Sequence, residues 1–438
     1  MNLEVWLDQD RVGTLTFDAR GNRFAFDYLA EWSARSDAYP LSPGLPLINT
    51  EQPADVHSAI VRRFFENLLP EGQALDDAAR NHQISKGNLV GLLIALGRET
   101  AGALRLCLPG KAGRDTTDRR LLTHEELSMR IRQRPSESFT VWDGKVRLSI
   151  AGFQDKLAVF RDDGRWYLVE GPDLASTHIL KPDPVNPRLA GLTSNELFCM
   201  KLAAAIGLET APVELHRLPE PVLCIARFDR FRHGPAVRRR HVIDGCQLLD
   251  LATSYKYERP YGDGVDVRDI RDGASLPRLF AAIKGSPQPA KAKLLLLRWL
   301  VFQILLGNTD AHAKNLSFFM TAAGPVQAPA YDMTCTALYQ SHVSQTFAMA
   351  VGDAFDTSEL SAYEWAQFCR ATDTNPTLVA KEVQRSVQLI RKKLPAVRET
   401  AVSSGAVPEI IEKISQVIEE QCETQLKLAP QIRKMMTI

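Results

Sequence analysis

The segment GNTDAHAKN (307–315) carries the chain's most informative spacing, with Asp310 and Asn315 five positions apart. It follows the most apolar run of the sequence and precedes the strand-like LSFFM (316–320), so both side chains fall on a loop between buried elements. Such a pair suits phosphoryl transfer. A carboxylate accepts the proton of an attacking hydroxyl, and a neutral oxygen ligand holds Mg²⁺ against phosphate. APAYDMT (328–334) adds Asp332 after another short apolar stretch, where it can complete the metal set. Magnesium keeps waters and phosphate oxygens in its shell, so one Asn and one Asp are enough. The bland alternative is that Asn308, Asp310 and Asn315 cap helices and shape a turn. An isolated D-x-x-x-x-N favours that reading; Asp332 together with an upstream lysine reverses it. His312 reads equally as a phosphate-side group or as a structural hydrogen-bonder.

The upstream lysine is Lys181, which ends the strand-like THILK (177–181) ahead of a helix carrying Glu196. In kinases a strand lysine steadied by a helix glutamate positions the phosphates of ATP, and their catalytic loop has the same Asp-to-Asn spacing. Thr193-x-x-Glu196 is also a capping box, so Glu196 is an ion-pair candidate with a competing explanation. SIAGFQDK (149–156) occupies a phosphate-loop position with a single glycine, Gly152, and a plain turn is the default there. The basic run RFRHGPAVRRRH (230–241) reads as a solvated hairpin face, with DNA phosphate as the minor alternative.

The elements that must position these groups are of two kinds. LEVWLD (3–8), VGTLTFDA (12–19) and RFAFDYL (23–29) alternate as a meander, joined by helical patterns at 57–69 and 88–97 and a strand at 103–108. PGKAGRDTTDRR (109–120) reads as a linker, and Thr123 with Glu126 opens a helix ending before Pro135. A second sheet follows: the hairpin LAVFRDDGRWYLV (157–169) with Asp-Gly at its turn, then 177–181, 213–218 and 221–231, with a helix over 194–206. Beyond 245 helices dominate, at 290–306, 358–371, 375–394 and 407–428. A sheet-rich half followed by a helix-rich half outlines a two-lobed α+β protein.

Bulk properties narrow the class. At 438 residues the chain exceeds one ordinary core. Its 53 basic and 52 acidic residues leave a net charge of +1, which neither supports nor excludes nucleic-acid contact. MNLEVWLDQD lacks a secretory pattern, and the apolar run 294–306, broken by Arg298, falls short of the ~20 residues of a membrane span. Seven dispersed cysteines without a CxxC pair read as reduced thiols of a cytoplasmic protein.

SIAGFQDK, HILKP, CIARFDR, GNTDAHAKN and AYDMT occur in the order of the HipA family of bacterial toxin serine/threonine kinases, which the chain resembles over nearly its whole length. The resemblance implies a two-lobed protein-kinase-like α+β fold with an extra N-terminal subdomain. The expected division is 1–140 for that subdomain, 141–228 for the small kinase lobe and 229–438 for a helical lobe. It implies ATP and Mg²⁺ as cofactors, Asp310 as catalytic base, and Asn315 and Asp332 as metal ligands. Lys181, His312, Lys314 and Tyr331 would line the nucleotide site. Ala226, Arg227 and Phe228 would form the adenine hinge, acting largely through backbone groups. Ala151, Gly152, Phe153, Gln154, Asp155 and Lys156 would form the phosphate loop. Ala226, where members often carry an acid, and Phe153, where they often carry a small residue, depart from the pattern.

Ser149 matches the serine that members autophosphorylate. A phosphate there, of about −2 charge, cannot share space with ATP phosphates and would switch the enzyme off. The implied partners are a small helix-turn-helix antitoxin of the HipB type, through which DNA is reached, and a protein substrate such as an aminoacyl-tRNA synthetase, whose modification arrests growth. Two other classes stay open. A small-molecule phosphotransferase would transfer phosphate without a protein acceptor. A DNA-tethered corepressor with a vestigial nucleotide site would bind ATP without turnover, although intact Asp310, Asn315, Asp332 and Lys181 argue against decay.

Overall fold

The structure, a computed structural model, describes residues 1–48, 52–111, 117–147 and 154–436. The N-terminal unit rests on strand alternation. In Asn2–Leu7 the side chains of Leu3, Val5 and Leu7 share one face and are buried, as the two-residue period requires. This strand pairs antiparallel with Asp10–Asp18, which pairs with Arg23–Tyr28, while Leu104–Cys107 returns to the free edge of the first. Helix Ala54–Glu66 adds Ile60, Val61, Phe64 and Phe65 to the core. Helix Gly72–His82 is one the apolar pattern does not announce, because only Ala78 and Ala79 are buried along it.

The second sheet has six antiparallel strands, ordered Val213–Arg217, Pro221–Ala226, His178–Pro182, Leu157–Asp162, Arg165–Glu170 and Asp118–Leu122. Its hairpin turns at Asp163 and Gly164, at φ 46° and 73°, the positive values a two-residue turn needs. Strand Asp118–Leu122 begins within the segment read as a linker, and DRRLL buries only Leu122. Helix His124–Gln133 then packs Leu127 and Ile131 with Trp142, Leu157, Val159 and Trp166. Residues 118–140 therefore associate with the second sheet.

The basic run corrects its own reading. Strands Arg230–His233 and Ala236–Arg239 form a hairpin, but Arg230 and Arg239 are buried rather than solvated. Arg230 pairs with Asp229 at 2.7 Å, Arg239 with Glu99 at 2.7 Å, and the neighbouring Arg227 with Asp229 at 2.7 Å. Asp229 also accepts from the Gly102 backbone N–H at 2.7 Å. Glu99 and Gly102 belong to the N-terminal unit, so the cluster fastens that unit to the six-stranded sheet. Burial opposes ionisation of Glu99, but Arg239, Arg230 and Arg227 outweigh it and hold the carboxyl at about 2. Its stabilising contribution is thus present above the ordinary 4.5 and is lost as pH falls towards 2. Asp229→Asn, which strands buried guanidinium groups, is expected to cost about 3–5 kcal/mol. The measurement is a lower urea midpoint at unchanged slope.

The larger lobe is built from helices Pro289–Leu306, Ala362–Thr372, Pro376–Ser403 and Pro408–Leu428, with a three-stranded sheet of Val242–Asp244, Ser317–Thr321 and Gly324–Gln327. Helix Pro289–Leu306 is buried on all sides over its last two turns, as its largely apolar sequence there demands. All seven cysteines are buried and unbridged. No described helix is long and apolar enough to cross a membrane.

Candidate active site

Gly307 ends the central helix in the left-handed conformation, at φ 68°, which suits glycine at a helix C-terminus. The loop that follows is held from both sides. The Thr309 N–H donates to Thr336 Oγ1 at 2.7 Å, the Ala337 N–H donates to the Gly307 carbonyl at 3.0 Å, and the Asp310 N–H donates to Asn308 Oδ1 at 3.1 Å. The chain then turns back. His312 N–H and Asn315 Nδ2 both donate to the Asp310 carbonyl, at 2.8 and 3.0 Å. That fold-back sets Asp310 and Asn315 side by side, with Asn315 Oδ1 left without a hydrogen-bond partner among the described residues.

Asp332 enters from the far side of the cleft. The preceding Tyr331 anchors it, donating its hydroxyl to the Lys314 carbonyl at 2.7 Å, and Asp332 itself takes φ 56°. Its Oδ1 accepts from Lys181 Nζ at 2.5 Å. Lys181 Nζ also donates to both oxygens of Glu196, at 2.8 and 3.0 Å. The capping alternative for Glu196 is thereby settled in geometry: helix Leu192–Ala205 begins after Gly191 with no side-chain cap, and Thr193 bonds Asp183 instead.

The charges are strongly coupled. Burial opposes ionisation of Asp332, but Lys181 and Lys156 hold its carboxyl below the ordinary range. Burial likewise disfavours the Lys181 ammonium, yet Asp332 and Glu196 raise its pKa above the usual lysine value. Burial raises Glu196 above the ordinary carboxylate value, with the Lys181 ammonium opposing. Lys156, buried near Lys181, is pushed down to about 8 by desolvation and by that neighbour. His312 falls to about 3 through burial and the charge of Lys256, so it is neutral at physiological pH. Its Nδ1 is buried without a partner.

Asp310, His312, Asn315, Tyr331, Asp332, Gln154 and Asp155 all line one cleft of about 1010 Å³. Gln154 Nε2 donates to the Pro182 carbonyl at 3.0 Å, and Asp155 pairs with Arg134 at 3.4 Å. Ser149, Ala151, Gly152 and Phe153 lie outside the described residues. Lys314 lines the same cleft, with its ammonium bonded to Asp244 and to Asn67. The expected hinge residues Ala226, Arg227 and Phe228 are not among those lining the cleft. The N–H groups of Ala226 and Arg227 are engaged by the carbonyls of Pro212 and Thr177, both at 2.9 Å. The Arg227 guanidinium belongs to the buried cluster, and the Phe228 ring packs 5.6 Å from that of Tyr331.

Sequence reasoning missed the segment that backs Asp310. Tyr257 donates its hydroxyl to Asp310 Oδ1 at 2.7 Å, and Lys256 lines the cleft beside it. Asn67 and Glu71, from the N-terminal unit, line the same cleft. Asp310 keeps an exposed edge, but desolvation within the cleft raises its pKa, with the Tyr257 hydrogen bond opposing. The only hint in the sequence was YKYE (255–258), two aromatic side chains around a lysine in an otherwise irregular stretch.

Comparison with known proteins places this geometry. Residues 3–107 match the family model of the HipA N-terminal domain, and residues 148–397 match that of the HipA-like C-terminal domain. The chain is 37% identical to a serine/threonine-protein kinase toxin HipA of Shewanella oneidensis, over 92% of each chain. It superposes with a TM-score of 0.87, at 34% identity and 99% coverage of both chains, on HipA in a Shewanella oneidensis structure of that toxin with HipB and operator DNA. The fold is accordingly the two-lobed, kinase-like α+β fold with an added N-terminal subdomain. With both family domains present in order and the kinase cleft between the lobes, this chain belongs to the HipA family of serine/threonine-protein kinase toxins.

Proposed function

We propose that the chain transfers the γ-phosphoryl group of ATP, with Mg²⁺, to serine or threonine hydroxyls of proteins, its own Ser149 among them. The observation that carries the reading is the meeting of Asp310, Asn315 and Asp332 at one cleft, with the buried Lys181–Glu196 pair joined to it through the bond from Lys181 to Asp332. The donors fit magnesium. Asn315 Oδ1 and Asp332 Oδ2 are the hard oxygens that this ion prefers. Bound there, Mg²⁺ would neutralise phosphate charge. Lys181 would orient the phosphates nearer the nucleoside, and His312, neutral with Nδ1 unbonded, would face the nucleotide. Asp310 would accept the proton of the attacking hydroxyl. With two hinge N–H groups already engaged, backbone recognition of adenine would fall to the Phe228 N–H and to carbonyls of 226–228.

The solved relative is held with HipB and operator DNA. By that likeness we take the partner of this chain to be a small helix-turn-helix antitoxin of the HipB type, with DNA reached through it. The substrate we assign is a translation component such as an aminoacyl-tRNA synthetase, phosphorylated in the cytoplasm to arrest growth. Incubation of the purified chain with ATP and Mg²⁺ is expected to place one phosphate on Ser149, read by tandem mass spectrometry. Absence of phosphate under every metal condition sinks the autophosphorylation reading. Transfer to a metabolite with no protein acceptor sinks the protein-kinase reading.

A further inference from the structure

The cations around Asp310 are not equally free to act. Lys181 is divided between Glu196 and Asp332. Lys314 is buried and bonded to Asp244 and Asn67. Arg259 lies over the Phe355 ring, 3.5 Å from its centroid, and pairs with Asp263. Lys256 shares the cleft with Lys314 and Arg259 and is set apart by its neighbours. It lines the same cleft as Asp310, His312, Asn315 and Asp332, its side chain is 19% exposed, and its carboxylate partner is Glu71, at 2.7 Å.

The segment is fastened to the loop it faces. The Lys256 carbonyl accepts from the Ala313 N–H at 3.2 Å, and the next residue, Tyr257, donates to Asp310. The Lys256 charge acts on both Asp310 and His312. Glu71 comes from the N-terminal unit, at the start of helix Gly72–His82. One carboxylate from a different unit thus holds a lysine beside the proton acceptor.

Resting on the kinase reading above, the geometry points to Lys256 as a further catalytic residue, whose ammonium meets the phosphoryl oxygens during transfer while Glu71 positions it over the cleft. As the acceptor oxygen bonds to phosphorus, the bond from phosphorus to the β–γ bridging oxygen breaks and ADP leaves with its electron pair. The hydroxyl proton passes to Asp310. Charge on the three equatorial oxygens is then greatest, and a fixed cation there acts where it lowers the barrier most. It also makes the N-terminal unit part of the active site rather than an appendage.

A plain tether between the two units would use the same ion pair, and the test separates the two roles. Binding of ADP–Mg²⁺, with and without aluminium fluoride as mimic of the transferred group, is measured by calorimetry on the full chain. Wild type is expected to bind tighter with fluoride. Lys256→Met is expected to lose about 10²-fold of that enhancement while ADP affinity alone stays within about 2-fold, and Lys256→Arg to restore most of it. Glu71→Gln breaks the same pair but keeps the ammonium, so it is expected to lose no more than about 10-fold. If Lys256→Met does not fold, Lys256→Gln carries the same comparison. Full enhancement in the lysine variant, or equal losses from both sides of the pair, overturns the role of Lys256 and leaves the kinase reading standing. Wild type that binds no nucleotide at all rejects the kinase reading and this role with it.

Discussion

Asp310→Asn is expected to lower phosphoryl transfer by about 10²–10⁴-fold, the usual contribution of a positioned general base, and to leave the melting midpoint within about 2 °C of wild type. The contacts explain why activity and stability part company. The loop is held by the backbone groups of residue 310, through Asn308, His312 and Asn315, and an asparagine leaves them untouched. Its amide oxygen still accepts from Tyr257. What disappears is basicity. The folded pKa of Asp310 lies above the ordinary 3.8, so the ionised group costs stability once pH exceeds that value, and removing the charge relieves a small penalty at neutral pH. The same shift places the acid limb of the pH–rate profile above 3.8. Tyr257→Phe removes a hydrogen bond that favours the carboxylate, so it is expected to move that limb to higher pH. An asparagine variant that phosphorylates at the wild-type rate would remove Asp310 from the mechanism.

How far the sequence speaks depends on whether a feature's partners are local. The meander, the Asp-Gly hairpin and the long helices follow from period and turn chemistry, and the structure has them within a few residues of the expected bounds except at 375–394, where the helix runs on through Pro395 to Ser403. Asp310, Asn315 and Asp332 stood out in the sequence because an ion bound to phosphate would need those oxygen types, and the structure brings all three to one cleft. Glu196 was ambiguous because the same four-residue pattern serves a helix cap and an ion pair; only the position of Gly191 separates the two. The basic hairpin misled because Glu99, the counter-charge of Arg239, lies 140 residues away in the chain. Helix Gly72–His82 and the Lys256–Glu71 pair were silent for the same reason. Neither has an apolar period or a motif, and their meaning comes from the docking of one unit on another.

Lys181→Met is expected to abolish nucleotide binding and to destabilise the fold by about 3–5 kcal/mol, because it leaves a buried carboxylate without its counter-charge. Glu196 is 1% exposed and gives both oxygens to Lys181. In wild type the folded pKa of Lys181 exceeds 10.5, so its contribution is fully present below that value and is lost only as pH rises through the folded one. The Lys181 contribution is therefore insensitive to pH across the neutral range. The variant should not be. Without the ammonium, burial drives Glu196 further upward and the folded state takes up a proton, so the deficit relative to wild type is expected to shrink as pH falls from 7 towards 5. Replacing both partners, Lys181→Met with Glu196→Leu, removes the stranded charge and is expected to recover at least about half of the lost stability, since an apolar pair often matches a buried ion pair. Nucleotide binding should stay lost, because no apolar pair can orient phosphates. Urea denaturation alongside ATP titration reads both quantities. If the double variant regains ATP affinity together with stability, Lys181 is a fold determinant and the nucleotide is held by other groups.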